Sequence, residues 1–368
     1  MKISILQENL QQVLTDVQRC ISSRPQLPIL SCVLLVAEEK QITVFATDLQ
    51  FGMTCSLAGT VEEPGRVAIP AKIFCDFIAT LSAGWLTLDS TEHTVQVTSA
   101  EASAKIQTFA ADDYPMFPEA EGEEISFPLD VLAPAVQATS FAASLDETRP
   151  IFTTLCFQFG ENLEIAGTDG FRLSRILLPF SSEKRQLLIP AKAINESIKI
   201  AVRKKVKVVV IKVSEKLKQA FFSFDGCTVS MRVLEGQYPP YEKILPTEFS
   251  TQLSFDAAEF QQKLKTASIF ARESAGIIKF VITPEGLKLI SSSSSYGNQE
   301  SLVKTKAMTP ITQTEEIAFN SRYIQEFLSV VKPERVWFGM NESLKPAVFR
   351  PEGMEALSYV IMPFRVQG

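Results

Sequence analysis

One pattern recurs six times along this chain, and no other feature limits its fold as much. Each copy has two alternating apolar residues, a short break and then an amphipathic helix. The copies begin at Ile3-Ser4-Ile5, Val67-Ala68-Ile69, Ile125-Ser126-Phe127, Leu187-Leu188-Ile189, Leu253-Ser254-Phe255 and Ile317-Ala318-Phe319. Counted from the last residue of each, the spacings are 64, 58, 62, 66 and 64. Five residues further on stand Leu10, Phe74, Leu132, Ile194, Phe260 and Ile324. Nine residues further on stand Leu14, Ile78, Val136, Ile198, Leu264 and Leu328. An i, i+4 apolar pair lies on one helix face, so each copy predicts a strand followed by a helix with one buried stripe. Pro70, Pro128, Pro190, Asp256 and Asn320 mark the helix starts. Pro134 falls inside the third helix, which is therefore expected to start late or kink.

A longer period overlies the first. Tyr114-Pro115, Tyr238-Pro239 and Met362-Pro363 are separated by 124 residues each time. The 368 residues therefore divide into three domains, 1–122, 123–248 and 249–368, each an internally doubled βα unit. Short alternating runs such as Gln41 to Phe45 and Val206 to Ile211 add strands to every half-domain. The predicted class is α+β, with helices on one side of antiparallel sheets.

Composition removes several functions. No apolar run reaches the roughly 20 residues needed to span a bilayer, so no membrane role is expected. The one histidine, His93, excludes two-histidine metal sites and sits in what reads as a hairpin tip. Neither glycine-rich nucleotide fingerprint occurs. No catalytic group, metal or cofactor is expected. The six cysteines are scattered without a C-x-x-C pair, and all six read as reduced in a cytoplasmic protein. Asp48 and Asp169 follow threonines at equivalent places in two domains. Their duplication favours turn hydrogen bonding over acid–base work.

Charge is uneven. The net charge is −6, yet the six predicted helices together carry +4, leaving −10 elsewhere. The fourth helix dominates, with Lys192, Lys199, Arg203, Lys204 and Lys205. Such a field supports weak, salt-sensitive, sequence-independent contact with phosphates.

Several ordered motifs accompany the repeats: Arg24-Pro25-Gln26-Leu27-Pro28-Ile29-Leu30, Ala46-Thr47-Asp48-Leu49, Thr168-Asp169-Gly170-Phe171-Arg172-Leu173, Glu235-Gly236-Gln237-Tyr238-Pro239 with Ile244-Leu245-Pro246, and Val360-Ile361-Met362-Pro363-Phe364-Arg365. Together they resemble, over the whole chain, the bacterial DNA polymerase III beta subunit family, the replicative sliding clamps. The resemblance implies a DNA-clamp fold: helices lining a ring, antiparallel sheets outside, and a head-to-tail homodimer around double-stranded DNA. It also implies a non-catalytic processivity factor. The expected partners are the replicative polymerase, the clamp loader, and other polymerases and repair proteins that present short linear peptides.

Carried over by position, the resemblance places a peptide pocket between the second and third domains. Its residues are Arg149, Thr168, Gly170, Arg172, Leu173, Pro239, Ile244, Val360, Met362, Pro363 and Arg365. For DNA it points to Arg24, Lys72, Lys192, Lys199, Arg203, Lys204, Lys205 and Arg272. For the dimer it points to Ile106 and Thr108 meeting Ile269 and Phe270 of the other copy. Lys243, Phe171 and Ile151 depart from the family pattern and would alter peptide preference. Two other readings compete: a peptide-binding scaffold that never encircles DNA, and a hydrolase using Asp48 or Asp169.

Overall fold

The structure, a computed structural model, describes residues 1–21 and 25–365. Among them the six apolar pairs lead into six α-helices. These are α1 (Gln7–Val17), α2 (Ala71–Thr80), α3 (Leu129–Ser140), α4 (Ala191–Arg203), α5 (Ala257–Phe270) and α6 (Ser321–Val331). A strand of five or six residues precedes each one. The twelve helix anchors read from the spacing are all buried, none more than 4% exposed. Each such burial contributes about 1.5–3 kcal/mol before ordering entropy is set against it. Asp256 and Asn320 cap α5 and α6 by accepting from the Glu259 and Arg322 backbone N–H groups.

Of the two expectations for the third helix, a late start or a kink, the late start is corrected. The helix starts at Leu129 and continues through Pro134. A proline in the second turn removes one intrahelical donor, and the buried stripe of Leu132, Ala135 and Val136 holds the helix through that loss.

The chain forms two compact units. The first comprises residues 1–132 and 196–233, the second 133–195 and 234–368. The first unit holds a five-stranded and an eight-stranded sheet. In the five-stranded sheet Lys2–Leu6 lies between Gly59–Glu63 and Trp85–Ser90, and Ser103–Gln107 forms one edge. The eight-stranded sheet is two four-strand runs joined where Phe51–Leu57 pairs with Cys227–Arg232. The second unit repeats this plan. Its nine-stranded sheet is joined where Arg172–Leu178 pairs with Leu357–Ile361, and its four-stranded sheet has Gly297–Val303 at one edge. Every strand pairing given is antiparallel, which agrees with the α+β class. No helix among the described residues is long and apolar enough to cross a membrane.

Three equivalent hydrogen bonds close the three thirds of the chain. After its last strand the backbone turns back, and Phe109, Leu234 and Phe364 donate to the carbonyls of Ala68, Leu188 and Ala318 at 2.9, 2.9 and 2.8 Å. Gly167 shows how tightly strand and helix meet. A Cβ there would lie 2.5 Å from the Thr139 carbonyl oxygen of α3, so only glycine fits.

The reading of six reduced thiols is also corrected. Cys55 and Cys227, 172 residues apart, are joined as a disulfide. They face each other at the end of the pairing that fuses the eight-stranded sheet. Their separation in sequence hides this, because no local spacing signals a pairing between distant strands. Cys20, Cys32, Cys75 and Cys156 remain free thiols.

Candidate functional site

The two Thr-Asp motifs build the same turn twice. Asp48 Oδ1 accepts from the Gln50 and Phe51 N–H groups at 2.9 and 2.7 Å. Asp169 Oδ1 accepts from Phe171 and Arg172 at 2.9 and 3.1 Å. The threonines match as well. Thr47 Oγ1 accepts from Leu49 N–H and donates to the Phe51 carbonyl, while Thr168 Oγ1 accepts from Gly170 N–H and donates to the Arg172 carbonyl. Both aspartates thus serve as turn acceptors, as their duplication led us to expect.

The copies differ at the residue after the aspartate. Gly170 has φ +94° and Leu49 has φ +76°. Left-handed backbone costs a residue with a Cβ roughly 1 kcal/mol or more. Leu49→Gly is therefore expected to stabilise the protein by about 0.5–1 kcal/mol, seen as a higher urea midpoint. A lower midpoint would show that the 47% exposed leucine is held by contacts that outweigh the strain.

The second copy has a further function for its aspartate. Asp169 Oδ2 pairs with Arg172 Nε at 3.0 Å, and Arg172 also pairs with Glu326. Arg172 Nη2 donates to the Phe141 carbonyl at 2.9 Å, and the guanidinium lies 4.6 Å from the Tyr323 ring. Its side chain is only 7% exposed. Burial works against its charge, but Tyr359 and Glu326 raise its pKa above the ordinary value. Arg172 is therefore a fixed cation tying the Thr168–Arg172 turn to α3 and α6.

All the candidate pocket residues lie in the second unit, and Arg149, Leu173, Val360 and Met362 meet at or beside this turn. Leu173 pairs in register with Val360, and both are 1% exposed. They belong to one apolar cluster with Cys156, Ala166, Tyr238, Tyr241 and Trp337. They form a floor. Of the other apolar residues, Phe171 and Ile244 are 52% and 40% exposed, and Pro239, Met362 and Pro363 are half-buried. Met362 is anchored by its N–H donating to the Phe171 carbonyl at 2.9 Å. Arg149 donates to the Asp169 carbonyl at 3.2 Å and pairs with Asp146 at the same distance. Arg365 is exposed.

Sequence reasoning missed the supports. Tyr241 donates to Glu164 at 2.6 Å, and Glu164 pairs with Arg175 at 2.7 Å. This fixes the turn Tyr241–Ile244 that presents Ile244. Burial, reinforced by Glu164, pushes the Tyr241 hydroxyl pKa up, so it stays a donor. The Tyr-Pro-Pro-Tyr run was the available signal, since a second buried tyrosine after two prolines marks a pinned turn.

The cations proposed for DNA fall into two groups. Lys72 and Lys192 are exposed in the first turns of α2 and α4, and Lys205 and Arg272 are exposed at or just beyond helix ends. Others have internal partners. Lys199 bonds Glu196 at 2.7 Å, and Glu196 also pairs with Arg19 at 2.5 Å. Lys204 is largely buried, 3.8 Å from Asp225. Arg203 pairs with Asp16, a carboxylate with no exposure at all. Lys199 and Arg203 are nonetheless exposed, and of the three only Arg203 finds its partner across α1 and α4, a pairing the sequence does not show. Arg24 lies outside the described residues.

Of the dimer candidates, Ile269 is 57% exposed at the end of α5, and Phe270 is half-buried. Ile106 is only 7% exposed, so its side chain serves its own core. Thr108 lies just beyond the edge strand Ser103–Gln107, half-buried.

Comparison with known proteins covers nearly the whole chain. Models of the DNA polymerase III beta subunit match in order: the N-terminal domain over residues 1–118, the central domain over 126–240 and the C-terminal domain over 242–365. The Beta sliding clamp of Synechocystis sp. is 28% identical over 394 residues, covering all of both chains. That of Staphylococcus aureus strain N315 is 27% identical over 366 residues, 96% of each. The crystal structure of the DNA polymerase III subunit beta from Pseudomonas aeruginosa superposes with a TM-score of 0.92 at 24% identity, covering all of both chains.

Proposed function

From the premise that this chain belongs to the bacterial DNA polymerase III beta subunit family, the non-catalytic beta sliding clamps, we propose that two copies close head to tail into a ring around duplex DNA. The ring tethers the replicative polymerase. In this reading the chain has three domains, 1–122, 123–248 and 249–368, and works in the cytoplasm.

One observation carries the ring. The chain's repeats are joined by strand pairing twice, Phe51–Leu57 with Cys227–Arg232 and Arg172–Leu178 with Leu357–Ile361. The five-stranded and four-stranded sheets end on Ser103–Gln107 and Gly297–Val303, each with a neighbour on one side only. A third joint of the same kind, made between two copies, supplies the missing neighbour. A heterologous contact that closes after two copies gives a ring and leaves neither of these two edges open to template aggregation. Exposed Ile269 lies on α5, which packs against Gly297–Val303, so it borders that joint.

Retention on DNA is then topological, and contacts need only be weak. Lys72, Lys192, Lys205 and Arg272 are the cations we assign to phosphates, with Lys199 secondary because Glu196 shares it. Sedimentation tests the ring. The pure protein is expected at twice the 40.8 kDa chain mass. After loading it should stay on nicked circular DNA and leave linear DNA. A strict monomer, or equal loss from both DNAs, defeats the reading.

The surface around Phe171, Ile244, Pro239, Met362 and Pro363 is proposed to receive apolar side chains of partner peptides, over the Leu173–Val360 floor. The adaptable thioether of Met362 suits varied shapes. Ile244→Asp should weaken a short fluorescent peptide bearing adjacent Leu and Phe by about 30–100-fold, or about 2–3 kcal/mol, in anisotropy titrations. Retention on circles should not change. Unaltered peptide affinity would remove the pocket from this surface.

A further inference from the structure

The Cys55–Cys227 pair occupies a particular rung of its ladder. It is the last pair in register between Phe51–Leu57 and Cys227–Arg232. The neighbouring Ser56 N–H donates to the Gly226 carbonyl at 2.9 Å, which makes the cysteine rung the non-hydrogen-bonded kind. Opposed side chains come closest at such rungs, and the Cα atoms here are 4.1 Å apart. Beyond it lies the tight turn Asp225-Gly226, with φ +43° and +69°. Both cysteines are buried, at 0% and 2% exposure, so reagents reach them only when this end of the ladder opens.

We propose that Cys55 and Cys227 form a reversible redox staple on the pairing that joins the two halves of the eight-stranded sheet, closed by a low-molecular-weight disulfide such as oxidised glutathione and reopened by a dithiol. Closure takes two exchanges. Cys227 loses its proton and attacks one sulfur of the oxidant, whose disulfide breaks and releases one thiolate, which is protonated. Cys55 loses its proton and attacks Cys227 Sγ in the mixed disulfide, expelling the second small thiolate. Two protein thiols are oxidised and one external disulfide is reduced to two thiols.

The other cysteines do not compete. Cys20, Cys32 and Cys156 are buried and Cys75 is half-buried. Burial pushes the thiols of Cys32 and Cys75 up to about 11 and that of Cys156 to about 12. At neutral pH these thiols are protonated, and unlike the Cys55–Cys227 pair none of them is joined to a second cysteine. With the bond closed, the terminal rung cannot fray. With it open, the rung is held only by packing and by the backbone bonds of the neighbouring rungs.

The test uses the full chain equilibrated in glutathione buffers of graded potential, denatured, alkylated and weighed intact. The chain has six cysteines, four of them outside the pair, so six labels under reduction and four under oxidation are expected, in one two-electron step. Cys55→Ser should carry five labels throughout. Hydrogen exchange at the Ser56 amide should be at least about tenfold faster in the reduced wild-type chain. Six labels in every buffer, a glutathione adduct on Cys75 instead of the bond, or equal exchange in both forms would overturn the proposal. The wild-type measurements stand alone if the variant fails to fold.

Discussion

A chain carrying Ile269→Arg with Phe270→Ala is expected to sediment at 40.8 kDa under conditions where the unaltered protein runs at twice that mass. Ile269 is 57% exposed at the end of α5, the helix that packs against the edge strand Gly297–Val303. In the proposed joint it is covered by the edge Ser103–Gln107 of the other copy. Losing two apolar side chains and burying a cation should cost about 4 kcal/mol per contact, roughly a thousandfold in affinity. A ring has two such contacts, so retention on circular DNA should vanish with the dimer. An arginine suits the carboxyl end of a helix, and α5 should persist by circular dichroism. A variant that stays dimeric at the same concentration would move the interface elsewhere.

The second large effect is on folding. Arg203→Ala should lower the free energy of unfolding by about 3 kcal/mol, because it strands the Asp16 carboxylate without its partner. Asp16 is entirely buried on α1, and Arg203 on α4 is its ion-pair partner. Adding Asp16→Leu should restore most of the loss, which a double-mutant cycle in urea reads directly. A phosphate contact behaves otherwise, with stability unchanged and only DNA retention and its salt dependence altered. That outcome would return Arg203 to the DNA-facing group and sink its assignment as an internal tie.

Much of this was legible in the residues. The i, i+4 pairs such as Leu10 with Leu14 and Ile324 with Leu328 located all six α-helices among the described residues, because a buried stripe must recur at the helical period. The two Thr-Asp turns were legible for a similar reason, since their hydrogen bonds are local. What escaped depends on residues far apart in sequence. Cys55 meets Cys227 only through a strand joint, and Arg203 meets Asp16 only through helix packing. Among the residues proposed for peptide binding, the motif located Leu173 and Val360 but not their burial in the core. Exposure is decided by what packs above a residue, and the pinned turn at Tyr241 is part of that.

The joints between distant strands also bear on how such a gene can be cut. Phe51–Leu57 finds its neighbour some 170 residues downstream, and Arg172–Leu178 finds its own near the carboxyl end. A fragment ending at the first domain boundary would leave Met53 and Cys55, buried in the whole chain, on a bare strand margin. Such margins recruit whatever strand is at hand. Single thirds expressed alone should therefore clump or trade partners, and mixing complementary fragments should rescue solubility. Repetition in this chain records its ancestry, but it does not mark places where the polypeptide comes apart.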